Sequence, residues 1–342
     1  MDLSVLKSRN ARLVTSAAPS SDDPASAPPS RCSEPGTNLL NPTIFHESWW
    51  LDAAVPGQWS EATVSAGGKL VGRFPYLISK RAFGLTTCEM PDFVHFLGPA
   101  VDEGSGAPCN RALKHAQIVR ELYEQIPRVD NFYQRMHRGI TDVMVFAEAG
   151  LHTLVNFTFE IAPAPEQRIW SEMRDKTRNI IRRAQERYTA SDRISPAEFA
   201  AFYEANIEKA GHDSYYDAEG ITRICTAAVD RGRGRILCAR AADGSISAAI
   251  FCAWDATTCY YLLSTRDRGQ DHGATALLIW EAIRHASGMG LIFDFDGLYT
   301  RGNRVFFTGF GGVTRPRYVV CRNTLPYRLV DRLGRTLGRF RR

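Results

Sequence analysis

Residues 273–297 read GATALLIWEAIRHASGMGLIFDFDG, and they decide what kind of fold the chain can adopt. Ala274 to Gly290 is strongly apolar and helix-favouring, yet Glu281, Arg284 and His285 interrupt it well short of a membrane span, so it predicts a strongly apolar helix. LIFDFDG then alternates as a strand does, which puts Asp294 and Asp296 on one face at the strand's C-terminal end, where α/β sheets open to ligands. Upstream, CYYLLS (259–264) is an apolar strand, and RGQDHGAT (268–275) is a glycine-bearing turn into the helix. Such a turn leaves backbone N–H groups at a helix N-terminus, a setting that favours phosphate; its plainer reading is a strand-to-helix connection.

Outward from this unit, the same order of parts occurs twice. WSEATVSAGGKLVGRFPYLISKR alternates about Gly67-Gly68 and RILCARAADGSISAAIFCAWD about Asp243-Gly244, each dipeptide suited to a tight hairpin. Each hairpin is followed by a helical stretch (112–126 and 274–290) and a strand (NFYQRMH and LIFDFDG), which predicts a duplicated α/β module. Between the copies LHTLVNFTFEI is an alternating strand. Pro163 and Pro165 then precede one predicted helix over 166–188, with Trp170, Met173, Ile180, Ile181, Ala184 and Tyr188 on its apolar face. Arg174, Arg178 and Arg182 form a basic ridge beside that face.

Lysine and arginine (42) exceed aspartate and glutamate (37) by five in 342 residues, so the charge does not demand a nucleic-acid partner. The eight cysteines are scattered singly, with no CxxC pair and no histidines at zinc-ligand spacing. They read as reduced core residues of a cytoplasmic protein, with no metal site. Residues 15–38 are rich in Ser, Ala, Pro and Asp, which predicts a disordered leader over 1–38. At the other end, 323–342 predicts a basic amphipathic segment. Leu325, Leu329, Leu333, Leu337 and Phe340 share a face flanked by Arg328, Arg332, Arg335 and Arg339, suited to an anionic membrane surface or to docking on the first module.

The ordered set MRDKTRNIIRRAQERY, hairpin, GATALLIWEAIRHASGMGLIFDFDGL and FFTGFGGVTRPRY resembles the landmarks of FemAB-like and BioF2-like GNAT acyltransferases, over roughly residues 45–322. The resemblance implies an α/β fold of two tandem GNAT-like modules, 39–155 and 156–322, each a mixed, mainly antiparallel sheet flanked by helices. It implies an N-acyltransferase moving an acyl group from acyl-CoA to an amine acceptor such as an amino sugar, a cell-envelope precursor or an amino acid. An acyl carrier protein or aminoacyl-tRNA is the alternative donor, and a non-catalytic factor in polysaccharide assembly is a further alternative. Two departures stand out: Phe307 replaces a lysine common in the FKxxFGG segment, and the donor loop has Gln270, Gly273 and an out-of-pattern Thr275.

The candidate donor-binding residues are Leu263, whose strand offers an N–H to an oxyanion, and Gly269, Gln270, His272, Gly273, Ala274 and Thr275. Asp296 is the candidate general base, ahead of His212 and Asp294, because an attacking ammonium must lose a proton. Both aspartates could instead pair with arginines such as Arg301 and Arg304. Arg178 and Arg182, matching an RxxxR helix of the family, are candidate substrate ligands together with Tyr215 and Arg301; a solvated helix face is the other reading of that ridge. The FGG run at 310–312 predicts close backbone approach or positive φ.

Overall fold

A computed structural model describes residues 38–211, 214, 216–267, 269, 271–297 and 300–339; the leader expected over 1–38 lies, apart from Asn38, outside them. The first half runs α1 (Ser48–Ala54), β1 (Trp59–Ala66), β2 (Lys69–Lys80), β3 (Thr86–Glu89), β4 (Ala100–Val101), α2 (Pro108–Gln125), β5 (Asn131–Arg135), α3 (Met144–Glu148) and β6 (His152–Ile161). The second runs α4 (Glu166–Glu172), α5 (Asp175–Gln185), β7 (Thr189–Ser191), α6 (Pro196–Lys209), α7 (Ala218–Asp230), β8 (Gly234–Arg240), β9 (Ile246–Trp254) and β10 (Thr258–Arg266). It closes with α8 (Ala274–Gly288), β11 (Ile292–Asp294), α9 (Arg301–Phe307), β12 (Val313–Asn323) and α10 (Leu325–Arg339).

Both expected hairpins form. Gly67 and Gly68 take φ of 59° and 77° between β1 and β2, the left-handed conformations a two-residue hairpin turn requires. The strands build one mixed, mainly antiparallel sheet in the order β1-β2-β3-β5-β12-β6-β11-β10-β9-β8-β7, with β4 on β2. Its parallel strand pairs are β3 with β5 and β10 with β11. The order is nearly symmetric about its centre, and each half lends its last strand to the other. β6 pairs with β11, β12 pairs with β5, and β6 and β12 pair together in the middle. The boundary expected between 155 and 156 therefore falls inside a strand that both halves use.

Three buried apolar clusters cover the sheet, one around α8, one under α1 and α7, and one under α2. Leu277, Leu278, Ile279, Trp280 and Ile283 of α8 are all buried, each worth about 1.5–3 kcal/mol as an upper estimate. Cys88, Cys225, Cys238, Cys252 and Cys259 are buried too, whereas Cys109 is exposed.

The single helix expected over 166–188 is instead two. Met173 is extended (ψ 152°) and buried, and the next N–H, that of Arg174, donates to the Gly309 carbonyl at 3.0 Å rather than within a helix. The FGG turn makes the close approach its glycines suggest. A Cβ on Gly312 (φ 111°) would sit 2.4 Å from the Glu160 carbonyl oxygen, and one on Gly311 3.1 Å from that of Glu172.

α10 is anchored to the first half at its start: Thr324 N–H donates to the Asp130 carbonyl at 2.8 Å and the Tyr327 hydroxyl to Glu89 Oε1 at 3.1 Å. The described part of the leucine face is not docked: Leu325, Leu329 and Leu333 are 70%, 61% and 63% exposed. Among the described residues no helix is long and apolar enough to cross a membrane.

Candidate active site

β10 and β11 pair for only three residues, Thr258 with Ile292, Cys259 with Phe293 and Tyr260 with Asp294. Just beyond, β10 carries a bulge: Tyr261 faces Cys252 and Leu263 faces Phe251 on β9, leaving Leu262 as the extra residue. Past the bulge the space beside β10 is a cleft of about 680 Å³, lined among others by Tyr261, Leu262, Ser264, Thr275, Asp296 and Phe307. Phe307 packs its ring 4.5 Å from that of Phe295 and makes this wall apolar.

Asp296 is 5% exposed and holds φ of 63°, a strained conformation for a non-glycine residue. Its backbone N–H donates to Asp294 Oδ1 at 2.8 Å, and its Oδ2 is hydrogen-bonded to the Nδ1 of His95, a buried residue. His95 lies 201 positions away in sequence, in the connection from β3 to β4, and its ring stacks on Phe45 with centroids 5.6 Å apart. Sequence reasoning missed His95. Its one signal is a histidine inside the apolar run FVHFL, which gives no hint of its partner. A carboxylate that accepts from an imidazole N–H has its orientation fixed and can still receive a proton from a group in the cleft.

Asp294 has a different setting. It is fully buried, accepts hydrogen bonds from Thr158 Oγ1 and from Arg317 Nη2 (2.8 Å), and shares that guanidinium with Glu160 Oε1 at 2.5 Å. Arg138 reaches the other oxygen of Glu160 at 3.2 Å. Burial raises the Asp294 carboxyl from 3.8 to about 6, Arg317 opposing and Glu160 reinforcing the shift. Asp294 thus anchors the turn that presents Asp296. The ion-pair alternative holds for Asp294, with Arg317 as the partner rather than Arg301 or Arg304.

The remaining candidates divide. Thr275 lines the cleft, but its N–H and hydroxyl are already bonded to the carboxylate of Asp271 at 3.0 and 3.2 Å, and Asp271 is held by Arg266 at 2.8 Å. Gly273 takes φ of 94° at the head of α8, where a Cβ would meet the Ile180 side chain at 2.7 Å, so the glycine also lets α5 and α8 pack. Ala274 is buried, while Gly269 and His272 are exposed in the loop. The Leu263 side chain turns away from the cleft into the core under α1 and α7.

Arg178 donates to the carbonyls of Trp170 and Ser171 at 3.3 and 3.0 Å, and Arg182 lies over the Trp170 ring at 5.4 Å, so both secure the α4–α5 junction and neither lines the cleft. Arg301 is exposed at the start of α9, beside the cleft-lining Gly302. His212, Tyr215 and Gln270 lie outside the described residues. Among the described residues no three His, Cys, Asp or Glu side chains cluster as a metal site would require.

Residues 173–306, which contain the bulge, α8, β11 and both aspartates, match the family model of the GNAT acetyltransferase domain. Over this segment the chain is similar to a GNAT domain. Solved structures extend the likeness across both halves. FemX matches with a TM-score of 0.60 at 12% identity, covering 83% of this chain and 93% of that one. The C-terminal domain of a putative lysylphosphatidylglycerol synthetase from Agrobacterium fabrum matches with a TM-score of 0.50 at 12% identity, covering 84% and 95%. A conserved protein from Bacteroides thetaiotaomicron matches at 0.51 and 14%, covering 80% and 90%. These likenesses establish a shared fold. Curated protein sequences give no match to the chain. The matched segment, 173–306, is thus similar to a domain of acyltransferase type.

Proposed function

We propose that the chain is an N-acyltransferase in which Asp296 receives the proton of an attacking amine. The observation that supports this most strongly is the buried Asp296, oriented by His95 and lining the cleft beside the bulged strand. The amine nitrogen forms a bond to the carbonyl carbon of the acyl donor, the amine proton passes to Asp296, and the C–S or C–O bond to the carrier breaks. The proton then leaves with the departing thiol or hydroxyl. A backbone N–H at the Leu262–Leu263 bulge is the natural donor to the oxyanion. Amino sugars, cell-envelope precursors and amino acids are the acceptor classes.

Acyl-CoA is the first choice of donor, its pyrophosphate directed to the head of α8. An incoming pyrophosphate would meet Asp271 there, already bonded to Thr275. That contact favours, as the second reading, a donor not gripped by a pyrophosphate, such as the ester of an aminoacyl-tRNA. The test is donor consumption with a panel of amines. Asp296→Asn is expected to keep its fold and donor binding while turnover falls by roughly two to four orders of magnitude. Turnover at the wild-type rate would place the base elsewhere.

A further inference from the structure

The outward leucine face of α10 is unexplained by the cleft chemistry. Leu325, Leu329 and Leu333 are spaced four apart and more than half exposed, forming a continuous apolar row. Arg328 and Arg332, also exposed, form a second row immediately beside it. The sequence continues both patterns, with leucine at 337 and arginine at 335 and 339. The helix is held to the body at the other side, through Tyr327 and the preceding Thr324, so the leucine row is presented rather than packed. A helix of 15 residues is about 22 Å long, too short and too charged to span a bilayer.

We infer that α10 is a peripheral membrane-binding element that lies on an anionic phospholipid surface, leucines in the acyl boundary and arginines on the headgroups. Charge selects this occupant. A second copy of the chain would set one arginine row against another, whereas an anionic bilayer complements the arginines and accepts a flat apolar row without a matching groove. The inference is independent of the acyl-transfer reading, because binding is measured without any reaction.

The experiment is flotation of the full chain with vesicles of phosphatidylcholine alone or mixed with phosphatidylglycerol, at low and high salt, with light scattering for oligomeric state. The wild type is expected to float with the anionic vesicles at low salt and to lose most of that binding in high salt or with phosphatidylcholine alone. Leu329→Glu should weaken binding by roughly tenfold or more with an unchanged melting temperature, its side chain being solvated already. Arg328→Gln and Arg332→Gln should each weaken it by about fivefold. Failure of the wild type to float at low salt, or equal flotation of Leu329→Glu, would overturn the inference. So would a wild-type dimer that Leu329→Glu converts to monomer, since the leucine face would then be a self-interface.

Discussion

The two halves of the sheet each contain a parallel strand pair that parts after a few residues, and they treat the gap in opposite ways. Between β3 and β5 the pairing ends after Cys88 and Phe132, and the chain's own connection fills the space: Leu97 N–H donates to the Arg135 carbonyl at 2.8 Å and the His137 N–H to the Leu97 carbonyl at 2.9 Å. Between β10 and β11 no such segment enters among the described residues, and the cleft remains. The filling segment is also the one that carries His95 across to Asp296. One half has thus closed its own gap with the strand that equips the other's. The half outside the matched GNAT segment supplies a wall of the candidate site in the other.

The comparison is tested most severely at the charge cluster under the open gap. Arg317 is 5% exposed and shared by Glu160 and Asp294. Arg317→Met should cost about 3–5 kcal/mol in denaturant unfolding, because the buried Asp294 loses its counter-charge and Glu160 is left with Arg138 alone at hydrogen-bond distance. A loss within about 0.5 kcal/mol would mean that the network is not what holds the second gap in shape.

Next in size is a pH effect from Asp294. Folding raises this carboxyl from 3.8 to about 6, so the folded state favours the protonated acid. That contribution is fully present below the unfolded value and is lost as the pH climbs through about 6. Its size is on the order of 2–3 kcal/mol. Wild-type stability should therefore fall across this window relative to Asp294→Asn, which has no carboxyl to ionise, and parallel pH–stability curves would contradict the assignment.

A smaller change sharpens the view of the filled gap. Gly98 holds φ of 100° three residues after His95, and a Cβ there would lie 2.5 Å from Met136 Sδ. Gly98→Ala should destabilise by roughly 1–3 kcal/mol. It should also lower turnover per folded molecule, because the displaced segment carries His95. Loss of stability with turnover per folded molecule unchanged would separate the filling segment from the site.

Much of this architecture is legible in the sequence because its causes are local. Gly67-Gly68 and Asp243-Gly244 dictate turns, the run 274–290 dictates a strongly apolar helix, and the alternation in LIFDFDG puts two aspartates at a strand end. What escapes is whatever depends on a distant partner. The exchange of β6 and β12 is a matter of pairing between halves, and the break at Met173 depends on a carbonyl from Gly309. The roles of Asp294 and Asp296 look interchangeable until Arg317 claims one and His95 the other. The arginine ridge shows the converse. Its spacing is plain, but its contacts with Trp170 and the end of α4 are not.

In the proposed reaction His95 from the first half and Asp296 from the second act as one unit. A double-mutant cycle on turnover tests it most directly, comparing His95→Gln, Asp296→Asn and the double variant in a donor-consumption assay with a working amine. Strong non-additivity is expected: each single variant loses most of the activity, and the double variant is little worse than the poorer single. Losses that multiply, or a His95→Gln protein with wild-type turnover, would contradict it and leave the pair a structural contact between the halves.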